Sequence, residues 1–180
     1  NTSYWRYDRF YYDEEHARSK TVNYVGGNIK AGVNYQFLKY NNVFLNAGFI
    51  SRAPRYSYGA FMTSSTSNAI NPDAKNEKIA SVEVGYGFNN RYVNIQTNAY
   101  FTEWMDKAMT KSSTLENQTT YYMNMTGVNA RHMGIELEIK ARPAKWVELS
   151  AMLSLGSWKW DSDSVIGLAY DENGNALTAK

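Results

Sequence analysis

The chain contains no cysteine among its 180 residues, which removes disulfides, thiolate metal sites and thiol catalysis together. Its only histidines are His16 and His132. Neither has a second ligand at metal spacing, so no metal centre is expected. No apolar run approaches the roughly 18 residues of a spanning helix, so any membrane crossing must use strands. Basic blocks are also missing and the net charge is only +2, which makes nucleic acid a poor partner. The chain opens at Asn1-Thr2-Ser3-Tyr4-Trp5 without a basic start or an apolar leader. That opening reads as the interior of a longer protein, with a strand already running over 1–12.

What is present is aromatic surface. The composition is 43% apolar and 15% aromatic, yet the mean hydropathy is −0.56. Fifteen tyrosines reconcile these values, because tyrosine supplies contact area while keeping a polar tip. The length suits one domain. Within it, apolar and polar residues alternate in stretches joined by very short and very long links in rotation. Segments 29–38 and 43–51 meet at Lys39-Tyr40-Asn41-Asn42, segments 78–89 and 91–105 at Asn89-Asn90, and segments 132–142 and 146–160 at Pro143-Ala144-Lys145. Between these hairpins lie two polar segments, 52–77 and 106–130, expected to be long loops. A sheet with short turns on one edge and long links on the other is the pattern of an outer-membrane barrel.

Strand parity supports this. Val93, Ile95, Thr97, Ala99 and Phe101 fall on one face, and Asn94, Gln96, Asn98, Tyr100 and Thr102 on the other. Ala80, Val82, Val84, Tyr86 and Phe88 oppose Glu83 and three small residues, while Met133, Ile135, Leu137, Ile139 and Ala141 oppose Glu136 and Glu138. Alternation alone also fits a soluble sheet with one wet face. Length separates the two: about ten residues at roughly 3.3 Å each, tilted near 45°, rise about 23 Å, close to a barrel's apolar band. Aromatic residues gather at both ends of the strands, as two interfaces require. Trp158 and Trp160 break the pattern by falling on the polar parity, which leaves a lumenal place, a place above the membrane, or a bulge. Segment 147–155 contains good helix formers but keeps Val147, Leu149, Ala151, Leu153 and Leu155 on one parity. It reads as a lipid-facing strand. A helical turn is expected only over 13–20.

Several segments carry a family resemblance. Asn71-Pro72-Asp73-Ala74-Lys75-Asn76-Glu77-Lys78 followed by Glu83 and Gly85 resembles the Asn-Pro-Asp-Leu-Lys-Pro-Glu segment and Glu-x-Gly strand of TonB-dependent outer-membrane transporters, with Ala74 and Asn76 in place of Leu and Pro. Met133-Gly134-Ile135-Glu136-Leu137-Glu138 resembles the Gly-Ile/Val-Glu strand after a long loop in these barrels. Phe49-Ile50-Ser51-Arg52-Ala53-Pro54 resembles the strand end before a preceding loop. The resemblance covers about residues 29–160 and implies an all-β, antiparallel transmembrane segment of a larger barrel of about 22 strands. It implies long extracellular loops, short periplasmic turns, and a plug domain and C-terminal strands lying outside this chain. The implied partners are outer-membrane lipid, the TonB complex reached through a missing N-terminal region, a surface lipoprotein, and a scarce nutrient: an iron chelate, a cobalamin, a peptide or a glycan. No cofactor is implied.

Arg52, Arg55, Tyr56, Tyr58 and Phe61 interleave cations with aromatics at a loop base, a pattern suited to ligand contact, although the same residues also suit a membrane rim and loop packing. Glu83, Asn94, Gln96, Asn98, Glu136 and Glu138 are expected to face the lumen. Glu136 and Glu138 lie about 6.5 Å apart along a strand, a spacing compatible with paired catalytic carboxylates. Lys140 and Arg142 beside them favour ion pairs instead, and no catalytic residue is assigned. Asp161, Asp163, Asp171 and Glu172 lack a calcium-loop register, and Asn173-Gly174 suits a hairpin turn. Asn117-Gln118-Thr119 and Asn124-Met125-Thr126 match a glycosylation pattern that is incidental in a bacterial outer membrane. Two rival readings are a secreted carbohydrate-binding β-sandwich, with Trp104, Trp158 and Trp160 as stacking platforms, and a passive porin or adhesion barrel.

Overall fold

A computed structural model describes residues 1–11, 18–62, 68–114, 120–162 and 166–171. The segments expected as a helical turn at 13–20 and a hairpin turn at Asn173-Gly174 lie largely or wholly outside these residues. The described chain is all strand and link: β1 (Thr2–Tyr7), β2 (Val22–Leu38), β3 (Asn41–Arg52), β4 (Glu77–Asn89), β5 (Val93–Thr114), β6 (Thr120–Ala144), β7 (Val147–Trp160) and β8 (Ile166–Asp171). No helix among the described residues is long and apolar enough to cross a membrane. The strands form one antiparallel sheet in the order β1 to β7, with β8 also pairing to β6.

The three short turns have local causes. Asn90 Oδ1 accepts the backbone N–H groups of Tyr92 and Val93, each at 2.8 Å, which closes the β4–β5 turn through an asparagine side chain. Gln36 Nε2 donates to Lys39 O at 3.1 Å beside the β2–β3 turn. Pro143, which has no N–H, sits in the register shift between Ala141 and Ala144 on β6, where a ladder bond is missing anyway.

Cross-strand register carries one apolar face across the sheet. Val33, Leu45, Val84, Ala99, Ile135 and Leu155 form one continuous row over six strands. Its large members are 45–63% exposed, so no protein layer covers them. Tyr35, Val43, Tyr86, Thr97, Leu137 and Leu153 form the next row toward the short turns. The band ends outward where Glu103, Arg131 and Lys159 pair, and Arg131 meets the Asp161 carboxylate there. Toward the short turns, Tyr35 stacks on Phe37 with centroids 6.5 Å apart and Tyr40 meets Phe88 edge-on. An exposed apolar band bounded by aromatics and charge is what a lipid-facing wall requires.

The opposite face is polar. Asn98 Nδ2 donates to Glu83 Oε1 at 2.9 Å and to Glu136 Oε2 at 3.3 Å, while Gln96 pairs with Glu138 and Asn94 with Lys140. All six residues expected on the wet side therefore share this face. Lys140 bonds Glu138 at 2.6 Å. Arg142 instead turns to Glu148 across the β6–β7 turn, also at 2.6 Å, so Glu136 is satisfied by an amide rather than by a cation.

The sheet differs from expectation at its outer end. Segment 106–130, expected as a long loop, is mostly strand, because β5 and β6 stay paired out to Thr114 and Thr120. Threonines and tyrosines favour extended backbone here, and both faces are polar enough to stand in water. Register shifts between Trp104 and Met109 bend the hairpin, with Asp106 at φ 57° and Gly127 at φ 75°. β8 pairs with the same edge of β6 as β7 does and continues its line outward. β1 is also shorter than expected, ending at Tyr7. The buried apolar residues, Ala53, Ala60, Phe61, Met62, Ala108, Val128 and Ala130, all lie at this outer end. The core of the described chain thus sits above the apolar band and fastens the long link to the β5–β6 hairpin.

Candidate functional site

Arg52, at the end of β3, points both Nε and Nη2 at Glu77 Oε2, at 2.9 and 2.7 Å. Glu77 opens β4 and is only 2% exposed. Its other oxygen accepts the Ala108 N–H at 3.3 Å, so one carboxylate ties the strand pair to the bend in β5. A buried carboxylate needs such partners, because an unpaired charge there is strongly unfavourable. Arg52 also lies over the Trp104 ring at 5.8 Å.

The link after β3 folds back on itself. Asn71 Nδ2 donates to Gly59 O at 2.9 Å and its N–H to Ala60 O at 2.9 Å. Gly59 has no room for a Cβ, which would lie 2.3 Å from Arg55 O. Asn124 Nδ2 of β6 donates to Met62 O at 2.5 Å and its Oδ1 accepts from Thr110. This buried use of Asn124 explains the residue without a sugar. Phe61 is fully buried, with Tyr56 against it at 4.9 Å and the Arg9 guanidinium over it at 4.3 Å.

Arg55, Tyr56 and Tyr58 line a cavity of about 650 Å³ together with Ser57, Ala108, Thr110, Ser112 and Tyr122. Tyr58 stacks on Tyr122 at 5.7 Å and holds φ at 59°, a left-handed conformation that costs about 1–3 kcal/mol for a side chain of this size. Arg55 is exposed. Of the five residues singled out in sequence, three therefore line one hollow, while Arg52 is held by Glu77, which also accepts from Ala108, and Phe61 packs behind Tyr56. The far wall, made by Ala108, Thr110, Ser112 and Tyr122, came from the segment expected to be loop. The continuing run of threonine and tyrosine after Lys107 was the only clue to it.

A second hollow of about 270 Å³ lies on the polar face just inside the bend, lined by Trp104, Lys107, Ala130, His132, Trp158, Lys159 and Trp160. No bulge accounts for Trp158 and Trp160; register places them opposite His132 and Ala130. They are therefore on the wet side by parity.

A sheet with short turns on one edge, an uncovered apolar face, and a polar face crowned by hollows defines the wall of a transmembrane β-barrel. Residues 4–179 match the family model described as TonB dependent receptor-like, beta-barrel, and the chain belongs to that family. The family consists of receptors and transporters of the bacterial outer membrane. Searches against curated proteins and against solved structures found no match. Membership removes the reading of a secreted sandwich.

Proposed function

We propose that this chain forms part of the wall and mouth of a plugged receptor that captures a scarce nutrient outside the cell and imports it on energy supplied through TonB. The observation that carries this reading is the 650 Å³ hollow at the long-link end, set above a wall whose outer face meets lipid. In it Arg55 supplies a cation and Tyr58 and Tyr122 supply flat surfaces with polar tips beside the packed Tyr56, a combination suited to a solute that is part apolar and part anionic. An iron chelate, a cobalamin, a peptide and a glycan all answer that description in part. The open sheet, whose β1 and β7 do not pair, supports a larger barrel completed by further strands, with Glu83, Asn94, Gln96, Asn98, Glu136 and Glu138 facing its lumen and a plug inside it.

Orientation is tested in the intact receptor with single cysteines at Ser113 and Asn89, since the chain has none of its own. A membrane-impermeant maleimide applied to whole cells should label Ser113→Cys and spare Asn89→Cys. Labelling of both would reject the barrel orientation. For capture, Arg55→Ala and Tyr122→Ala should each weaken nutrient binding about tenfold, the scale of one charge-assisted contact. Unchanged affinity in both variants would reject the hollow as the capture site.

A further inference from the structure

We propose that the second hollow is a ring-binding subsite for a flat-faced ligand carrying a carboxylate, placed on the lumenal wall below the capture site. The inference rests on the receptor reading and adds to it a chemical class and a second station.

Three observations carry it. Tryptophans at a membrane boundary usually serve as lipid-side anchors, yet Trp104, Trp158 and Trp160 all lie on the polar parity, opposite Ile79, His132 and Ala130. Anchoring therefore does not explain them. The Trp158 ring also lies across Gly156, where a Cβ would come within 2.6 Å of its Cζ2. Glycine at this position leaves room for the ring to approach the backbone, and Trp158 and Trp160 still stay 57% and 60% exposed. Large aromatic rings left open on a polar wall offer a stacking surface.

Charge supplies the rest of the specificity. The Lys107 ammonium rests 4.5 Å from the Trp104 centroid and 5.9 Å from that of Trp160. Among the described residues no carboxylate lies within ion-pair distance of it, whereas Arg52 and Arg131 are each engaged by an acid. His132 stacks on Trp104 with centroids 6.5 Å apart and planes 12° from parallel, closing the inner side. A volume of about 270 Å³ holds one ring of a ligand rather than a whole drug-sized molecule. A six-membered ring stacked on Trp158 and Trp160 brings its carboxylate to Lys107. Sugar acids and aromatic acids share that chemistry.

The test uses the intact receptor, purified in detergent, with calorimetric titration of a galacturonic acid tetramer, a neutral glucose tetramer and benzoate. The acidic tetramer should bind more tightly than the neutral one. Lys107→Met should abolish the difference, a loss of about tenfold. Trp158→Ala should weaken both sugars, and Gly156→Val should do the same by lifting the ring while leaving every contacting residue in place. Binding of benzoate alone, with the same losses in Lys107→Met and Trp158→Ala, would assign the aromatic source. Failure of all three to bind, measurable but equal affinity for the acidic and neutral tetramers, or indifference to all the substitutions would overturn the subsite. Uptake in cells lacking TonB tests the transport reading separately, because binding to purified receptor needs no energy coupling.

Discussion

Replacing Leu153 by arginine puts the lipid-face assignment at risk in a single residue. On β7 the apolar parity runs from Val147 through Leu149, Ala151 and Leu153 to Leu155, about 26 Å along the strand and about 19 Å in depth at a 45° tilt. Ala151 marks its middle, so Leu153 lies about 5 Å off centre. Arginine on the lipid face costs about 2–4 kcal/mol at the midplane and little at the interfaces, and this depth selects about 2–3 kcal/mol. Ser154, the next residue, points to the other face and pairs with Glu136. Ser154→Arg gains a carboxylate neighbour in a wet setting, so its effect should stay within about 0.5 kcal/mol.

The readout is urea-dependent folding of the full-length receptor into lipid vesicles, followed by the shift of the folded barrel on unheated gels. Leu153→Arg should lower the folded-to-unfolded ratio roughly 30- to 150-fold, which is the same figure expressed as an equilibrium constant. Leu149→Arg, the same distance on the other side of Ala151, should match it. Equal tolerance of Leu153→Arg and Ser154→Arg would refute the face assignment outright. A large loss in Ser154→Arg alone would invert the wall.

Other substitutions test the outer end and the polar face. Glu77→Gln keeps the size of the side chain but removes the charge that holds Arg52, and should destabilise the loop base by about 1.5–3 kcal/mol; hydrogen exchange at Ala108 and over 53–62 should accelerate while the β2–β3 hairpin stays protected. Gly85→Val drives a Cβ into the Phe44 ring, 2.2 Å away on the polar face, and should cost about 1–3 kcal/mol. Phe44→Ala in the same chain should recover much of that loss in a double-mutant cycle. The Asp8 carboxyl is held below its usual range by the Arg18 hydrogen bond first and by the charges of Arg18 and Arg6. Because its pKa is depressed in the folded chain, the Asp8–Arg18 contact is fully present above the ordinary carboxylate value and lost as pH falls through the lower folded value. Proteolysis of the β1–β2 link by an acid-tolerant protease should therefore be similar at pH 5 and pH 6 and rise only in stronger acid; a rise between pH 6 and pH 5 would contradict the pairing.

The lipid-facing wall was legible because two different solvents touch its two faces. Lipid permits only apolar side chains and water favours polar ones, so a period of two appears in 93–102 and in 133–142 and pins register and face together. The outer β5–β6 hairpin escaped the same reading. Residues from Thr110 to Thr114 and from Thr120 to Asn124 have water or polar neighbours on both sides, so no alternation marks them, and their pairing depends on cross-strand bonds that a single segment does not display. Trp158 and Trp160 sit between these cases. Parity leaves a lumenal place, a place above the membrane or a bulge open for them; the unbroken β6–β7 register decides for the polar face, and the close approach of Trp158 to Gly156 shows only in the fold.

The residues proposed for capture show why composition stops short of role. Arg52 and Arg55 are three residues apart and chemically identical, yet one is neutralised by Glu77 and the other faces a 650 Å³ hollow. Tyr58 and Phe61 are both aromatic, but Phe61 is sealed beneath Arg9 while Tyr58 meets Tyr122 across the opening. In each pair the deciding neighbour comes from another strand or from a link far along the chain. A cation or a ring becomes available to a ligand only when no carboxylate or packed surface nearer in the fold has already taken it. By that criterion Arg55 and Lys107 are the cations at this mouth to substitute first, and Arg52 is the one whose loss should disturb the loop before it disturbs the ligand.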